Sequence, residues 1–185
     1  MPGASVTPFA VVDAFTDRPM AGNPAAVVVL DAWPADAWLQ GVAAELALSE
    51  TAFVLPTGDP TRWGLRWFTP LVEVALCGHA TLAAAHTLWE DGRAPHDAQL
   101  AFDTRSGPLR ARRQDGRVVL DFPVRPAIAG LRPAWLDTVL PSARFLGATT
   151  APTALERNAL VELDDPAALR AARPDLAALL GVEEV

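Results

Sequence analysis

Short apolar runs of strand character alternate with turn-forming clusters through the first part of the chain. Phe9 to Phe15 and Ala25 to Leu30 predict two strands, split by the turn-rich Pro19-Met20-Ala21-Gly22-Asn23-Pro24. The period then changes. Trp38, Val42 and Leu46 recur at helical spacing, which predicts a helix from Pro34 or Ala35 to Leu48 with Asp36 as its candidate cap. Thr51 to Leu55 is extended again and ends in the polar turn Thr57-Gly58-Asp59-Pro60, and Leu65 to Phe68 and Val72 to Leu76 predict two short strands around Thr69-Pro70. His79 to Trp89 is rich in alanine and leucine on nearly every face. That is the pattern of a helix enclosed by sheet rather than one lying on a surface, and Gly92 is its expected stop. Three further strands are expected at Gln99 to Asp103, Leu109 to Arg113 and Val118 to Phe122, the last two joined by the hairpin signal Asp115-Gly116.

The texture shifts from about Pro123. Pro123, Pro126 and Pro133 punctuate a connection, after which a short helix is expected near Ala134 to Val139 and a strand near Asn158 to Leu163. A last helix should begin near Pro166, capped by Asp164 or Asp165. The class is α+β. The expected organisation is a first lobe over residues 1–123, with its central helix at about 79–91, and a partial second lobe over 124–185.

Composition narrows the chemistry. The 185 residues are 51% hydrophobic and 20% charged, enough for a real core. No apolar run approaches the roughly 18 residues of a membrane span, so no membrane association is expected. Met1 to Thr7 lack the basic start and apolar core of a secretory signal. A net charge of −7 argues against nucleic acid as a partner, because a phosphate backbone needs a positive footprint. Every basic side chain is arginine; without lysine there is no Schiff base to a carbonyl, no covalently held pyridoxal phosphate and no phosphate-loop lysine. The single cysteine, Cys77, excludes a disulfide within these residues and fits a reducing, cytoplasmic setting.

Three constellations could carry chemistry. Glu50 lies between the first helix and the strand Thr51 to Leu55, where it is either a solvated loop residue or a partly desolvated acid/base. Cys77-Gly78-His79-Ala80-Thr81 places a glycine and a histidine at a helix start. Free backbone N–H groups there suit a carboxylate, or the segment is a tight turn with a capping histidine and Cys77 a small buried hydrophobe. Gly22-Asn23-Pro24 holds Asn23 extended, which aims its amide or merely joins two strands. His86 falls seven residues after His79, whereas a helical metal pair needs a spacing of about three or four, and His96 is in a loop. No metal cluster is expected.

Taken in order, these segments form a pattern. Val12-Asp13-Ala14-Phe15-Thr16, Gly22-Asn23-Pro24-Ala25-Ala26-Val27 and Ser49-Glu50-Thr51-Ala52-Phe53-Val54 resemble the opening motifs of PhzF-like proteins. Arg66-Trp67-Phe68-Thr69-Pro70 with Glu73, Cys77-Gly78-His79-Ala80-Thr81-Leu82-Ala83 and Leu120-Asp121-Phe122-Pro123 continue the match. The resemblance implies a diaminopimelate-epimerase-like fold: two similar lobes, each a mostly antiparallel sheet rolled around a central helix, with the active site in the cleft between them. It implies an isomerase that needs no metal or organic cofactor, whose namesake reaction moves a proton between ring carbons of a dihydro-hydroxyanthranilate. The family's catalytic glutamate falls on Glu50, its ligand-contacting asparagine on Asn23, and its glycine-histidine pair on Gly78 and His79. The related diaminopimelate epimerases use two cysteines; one position lies near Cys77, but a two-thiol racemase within this chain is excluded by the single cysteine.

The family's second central helix, opened by a Glu-Asp-Pro and Thr-Gly-Ser motif, has no counterpart here; Asp164-Asp165-Pro166 lacks the continuation. One complete lobe and an incomplete second one are therefore expected. Full activity should need the remainder: the chain is part of a longer enzyme, or a truncated gene product, or another chain supplies the missing part, with homodimerisation or association through the incomplete lobe expected. The alternative is an inactive protein that keeps the fold and either binds small carboxylates or forms oligomers.

Overall fold

A computed structural model of the chain describes residues 6–124, 126–149, 158–180 and 182. Contacts divide it into two units, Met1–Phe122 and Pro123–Val185. In the first, β1 (Phe9–Ala14) runs antiparallel to β2 (Asn23–Val29), with Ala14 opposite Asn23. β2 then pairs in parallel with β3 (Glu50–Pro56), a connection that requires a crossover, which helix α1 (Asp36–Leu46) supplies. β4 (Arg62–Phe68) lies antiparallel to β3, and β5 (Glu73–Val74) adds a short antiparallel pairing to it. After helix α2 (Gly78–Glu90), β6 (Leu100–Thr104) joins β4 in parallel, and β7 (Gly107–Gln114) and β8 (Arg117–Asp121) follow as antiparallel neighbours. The sheet order is β1-β2-β3-β4-β6-β7-β8. It is antiparallel apart from the two crossover joints.

Helix α2 explains the shape of this sheet. It packs against β1, β2 and β3 near one end of the strand order and against β8 at the other. Both ends reach one helix only if the sheet curls around it. Ala80, Ala83, Ala84, Ala85 and Leu88 of α2 are fully buried, and the small alanines allow close approach of Val27, Val54, Leu65, Trp67, Phe102 and Leu109. On the opposite face Val28, Phe53 and Phe68 pack with Leu39 and Ala43 of α1. β3 is thus covered on both sides, so Thr51 to Val54 is buried throughout rather than alternating.

Several local expectations need correction. The buried residues of α1 are Leu39 and Ala43, with Val42 packed beside them, whereas Trp38 is 40% exposed and lies edge-on to Phe53. Asp36 caps nothing: the N-cap is Ala35, and the Asp36 carboxylate accepts a hydrogen bond from Arg66 at 2.9 Å. The Val72 to Leu76 strand shrinks to Glu73–Val74, because only Trp67 and Phe68 of β4 offer it pairing. The Asp115-Gly116 hairpin is present, with φ of 51° and 73° that suit a tight primed turn. Gly92, at φ 66°, follows the end of α2.

In the second unit β9 (Ala127–Ile128), β10 (Arg144–Thr149) and β11 (Asn158–Glu162) form an antiparallel sheet in the order β11-β10-β9. Helix α3 (Trp135–Val139) precedes β10; α4 (Pro166–Ala171) and α5 (Leu176–Leu180) follow β11. The Asp165 side chain caps α4 by accepting from the Ala168 N–H at 2.7 Å. β9, β10 and α5 were not legible as elements in the sequence. Two-residue and glycine-bearing strands carry little periodicity, and Gly147 marks a register shift in β10. No described helix is long and apolar enough to cross a membrane.

Gly22 governs the approach to Asn23. A Cβ there would lie 2.4 Å from the Ala14 carbonyl oxygen and 2.7 Å from Thr16 Cγ2. Gly22→Ala should therefore destabilise the protein by roughly 1–3 kcal/mol. Gly41→Ala, on α1 with nothing within 4 Å of the added methyl, should instead be neutral or stabilising by about 0.5–1 kcal/mol. Denaturant midpoints of the two variants check the contrast.

Candidate functional site

The parallel joint between β2 and β3 gathers the candidate residues. Parallel strands begin at the same end of a sheet, so Asn23, the first residue of β2, and Glu50, the first of β3, share one end; Glu50 pairs with Ala25, two residues along from Asn23. Helix α2 begins at that end too. Cys77 is its N-cap residue in an extended conformation, φ −145°, and the Thr81 hydroxyl donates to the Cys77 carbonyl and secures the first turn. Gly78 and His79 are the first two helical residues.

The side chains meet around the His79 ring. Nε2 lies 3.3 Å from Glu50 Oε2 and 3.3 Å from Ser49 Oγ, and Nδ1 lies 3.4 Å from Cys77 Sγ. The Ser49 hydroxyl also makes a long contact, 3.5 Å, to Asn23 Oδ1. The imidazole side chain is 9% exposed and that of Glu50 20%, so the pair lies at the margin of the core. Burial lowers the His79 pKa below its ordinary value, against the opposing pull of the Glu50 charge, and the ring is neutral near pH 7. Burial pushes the Cys77 thiol up from 9.0 to about 12; nearby Glu50 acts in the same direction, and the backbone N–H groups of Ala80 and His79 partly oppose it. Cys77 is thus a thiol rather than a thiolate, and a poor nucleophile.

All four sequence candidates, Asn23, Glu50, Gly78 and His79, converge on this end of the unit. Ser49 and the contact role of Cys77 were missed. The signal for Ser49 was its place one residue before a strand-opening glutamate, which carries no periodicity. A Cβ on Gly78 would lie 3.4 Å from Phe122, at ordinary contact, so packing alone does not demand glycine there. His86 is elsewhere. It lines a cavity of about 750 Å³ with Val12, Asp13, Phe15, Leu82 and Val118, in the seam between edge strands β1 and β8 above α2. None of the converging groups lines that cavity; the titratable cluster, not the cavity, locates the chemistry.

Glu50, Cys77 and His79 offer potential metal-binding atoms within 4.8 Å of one another, which helical His spacing did not reveal. His79 Nδ1 is hydrogen-bonded to Cys77, and Nε2 lies within ion-pair distance of Glu50. Coordination would require the Cys77 thiol to lose a proton that its burial retains.

Residues 12–184 match the family described as phenazine biosynthesis-like protein, PhzC-PhzF. The chain belongs to this PhzC/PhzF family. An uncharacterized isomerase of Pseudomonas aeruginosa is 50% identical over 173 residues, which cover 92% of this chain and 62% of the relative. An uncharacterized isomerase of Halalkalibacterium halodurans is 42% identical over 176 residues, covering 94% and 63%. The crystal structure of a PhzF-family protein from Enterococcus faecalis superposes with a TM-score of 0.76 at 34% identity, over 96% of this chain and 65% of that one. The curled first sheet around α2 is the PhzF, diaminopimelate-epimerase-like α+β fold, and the chain spans under two-thirds of the length of these relatives.

The raised Cys77 pKa links stability to alkaline pH. Below the unfolded value of 9.0 the thiol is protonated in both states and its contribution is fully present. As pH rises from 9.0 toward about 12 only the unfolded chain releases the proton, so stability is lost over that window. Wild type should therefore lose more stability across this range than Cys77→Ala, measured by denaturant melts at stepped pH.

Proposed function

We propose that this chain carries the acid/base half of a PhzF-like isomerase, acting in the cytoplasm on a small carboxylate-bearing substrate. The observation that supports it most is the Glu50–His79 contact of 3.3 Å at the start of α2, beside Gly78. Moving a hydrogen between carbons requires one group that removes and returns a proton at close range. The Glu50 carboxylate does this: it accepts a proton from one carbon of the substrate and delivers it to another. His79, neutral through burial, donates a hydrogen bond to the negative charge that develops without first giving up its proton. The positive end of α2 holds the substrate carboxylate, with Gly78 allowing close approach to the backbone. Asn23 orients the substrate through its amide. The resemblance implies that neither metal nor organic cofactor is needed, and the description of two relatives as isomerases favours that class.

The test is solvent-hydrogen exchange into a dihydro-hydroxyanthranilate in heavy water, with the purified chain alone and together with a complete homologue as reference. Glu50→Gln should lower exchange by about 10²–10⁴-fold with the fold unchanged by circular dichroism. Undiminished exchange in that variant sinks the assignment of Glu50. Saturable carboxylate binding with no exchange in the wild type would instead identify a binding protein that keeps the fold.

A second reading concerns assembly. Leu131, Leu160, Leu169, Leu176 and Leu180 of the second unit are exposed, and neither α4 nor α5 has a buried residue. Apolar surface of this kind favours association, and the proposed partner is a second copy of the chain. Light scattering should give a dimer mass; a monomer at tens of micromolar concentration, on the order of ordinary weak association limits, rules this out.

A further inference from the structure

A neutral imidazole carries one N–H and one lone pair, so the two nitrogens of His79 must play opposite roles. Both have partners. Nε2 faces Glu50 Oε2 and Ser49 Oγ, each at 3.3 Å, and Nδ1 faces Cys77 Sγ at 3.4 Å. An ionised carboxylate only accepts, and an unprotonated Nε2 would turn a lone pair toward it. Ser49 fits the same arrangement: its oxygen lies 3.3 Å from Nε2, and its hydroxyl makes a long contact of 3.5 Å to Asn23 Oδ1, which leaves the oxygen able to accept. Two neighbours on one side of the ring therefore call for a donor at Nε2. Nδ1 is then the acceptor, and the group facing it is the Cys77 thiol, the single cysteine of the chain; the Glu50 carboxylate, which also interacts with that thiol, is the competing acceptor of its hydrogen.

We propose that Cys77 is a positioning residue: its S–H donates to Nδ1 of His79 and holds the ring in the tautomer that presents Nε2–H to Glu50 and Ser49. Hydrogen bonds then run in one direction, from Cys77 to His79, from His79 to Ser49 and from Ser49 to Asn23. Glu50 Oε2 lies 3.3 Å from the same nitrogen. The chain joins residues from three parts of the sequence, the starts of β2, β3 and α2, and orients the ring and the asparagine together. Burial of the sulfur keeps its proton in place, which distinguishes this role from that of a thiolate base. The role deepens the reading of Glu50 as acid/base, since the tautomer decides what that carboxylate faces, but it can be measured without turnover.

Nitrogen NMR of the imidazole side chains in the full chain tests it at neutral pH. The chain has three histidines, and His79→Gln assigns the signals by difference. The expected wild-type result is a protonated Nε2 and an unprotonated Nδ1 displaced toward the resonance of a hydrogen-bonded acceptor. Cys77→Ala should remove that displacement, and Cys77→Ser, which keeps a donor, should restore it. In parallel, the infrared S–H band of Cys77 should lie below the free-thiol position in the wild type and return to it in His79→Gln. A protonated Nδ1 in the wild type, an Nδ1 resonance unmoved by Cys77→Ala, or a free-thiol S–H band overturns the proposal. The tautomer and the S–H band are both read on unmutated protein, so they decide it even if Cys77→Ala does not fold. Retained exchange in Glu50→Gln removes the acid/base reading and leaves the tautomer result standing.

Discussion

Helix α2 has almost no solvent-facing side, and the first unit is organised around burying it. A sheet that covered only one flank would leave leucine and alanine surface in water, so the strand order bends until β1, β2 and β3 on one hand and β8 on the other reach the same helix. Alanines at Ala80, Ala83, Ala84 and Ala85 make this geometry possible, because larger side chains would hold the strands away. Trp67, Phe102, Leu65 and Leu109 then fill the space from the sheet side.

The position of the candidate site follows from the same packing. A helix buried lengthwise must bring one terminus to each end of the sheet. The N-terminus of α2 arrives where the parallel pair β2 and β3 begins, and that places His79 between Cys77 of its own cap and Glu50 of the neighbouring strand. Partial enclosure gives these groups their character. The ring is neutral, the thiol stays protonated, and the carboxylate keeps enough exposure to meet a ligand. Away from the site, Arg66 performs a purely structural task. Its guanidinium grips Glu73 through two contacts of 2.8 Å and lies over Trp33 and Phe68, tying β4 to β5 and the loop before α1.

The two units differ in how completely they bury their apolar residues. The first has a continuous core between sheet and helix, whereas in the second Leu136, Val139 and Ala143 are buried but α4 and α5 remain superficial.

Periodicity alone is sufficient for the main elements of the first unit. The alternation within Leu65 to Phe68, the all-round apolarity of His79 to Trp89 and the Asp115-Gly116 turn are local properties, and local sterics and burial act on them directly. Residue type and motif order likewise single out Asn23, Glu50, Gly78 and His79. What sequence spacing does not contain is the register between elements distant in the chain. That Glu50 pairs alongside Ala25, that Ser49 reaches both Asn23 and His79, and that Cys77 and Glu50 approach opposite nitrogens of one ring are consequences of the parallel β2–β3 joint and of how α2 lies in the sheet. Asp36 shows the same division: its sequence position suggested a helix cap, but the guanidinium of Arg66, thirty residues away, competes for the carboxylate and wins with a charged hydrogen bond. The chain's letters thus determine which groups are available and which segments are helix or strand. Tertiary packing decides which of those groups touch, because a hydrogen bond depends on distance and direction that only the assembled sheet and helix define.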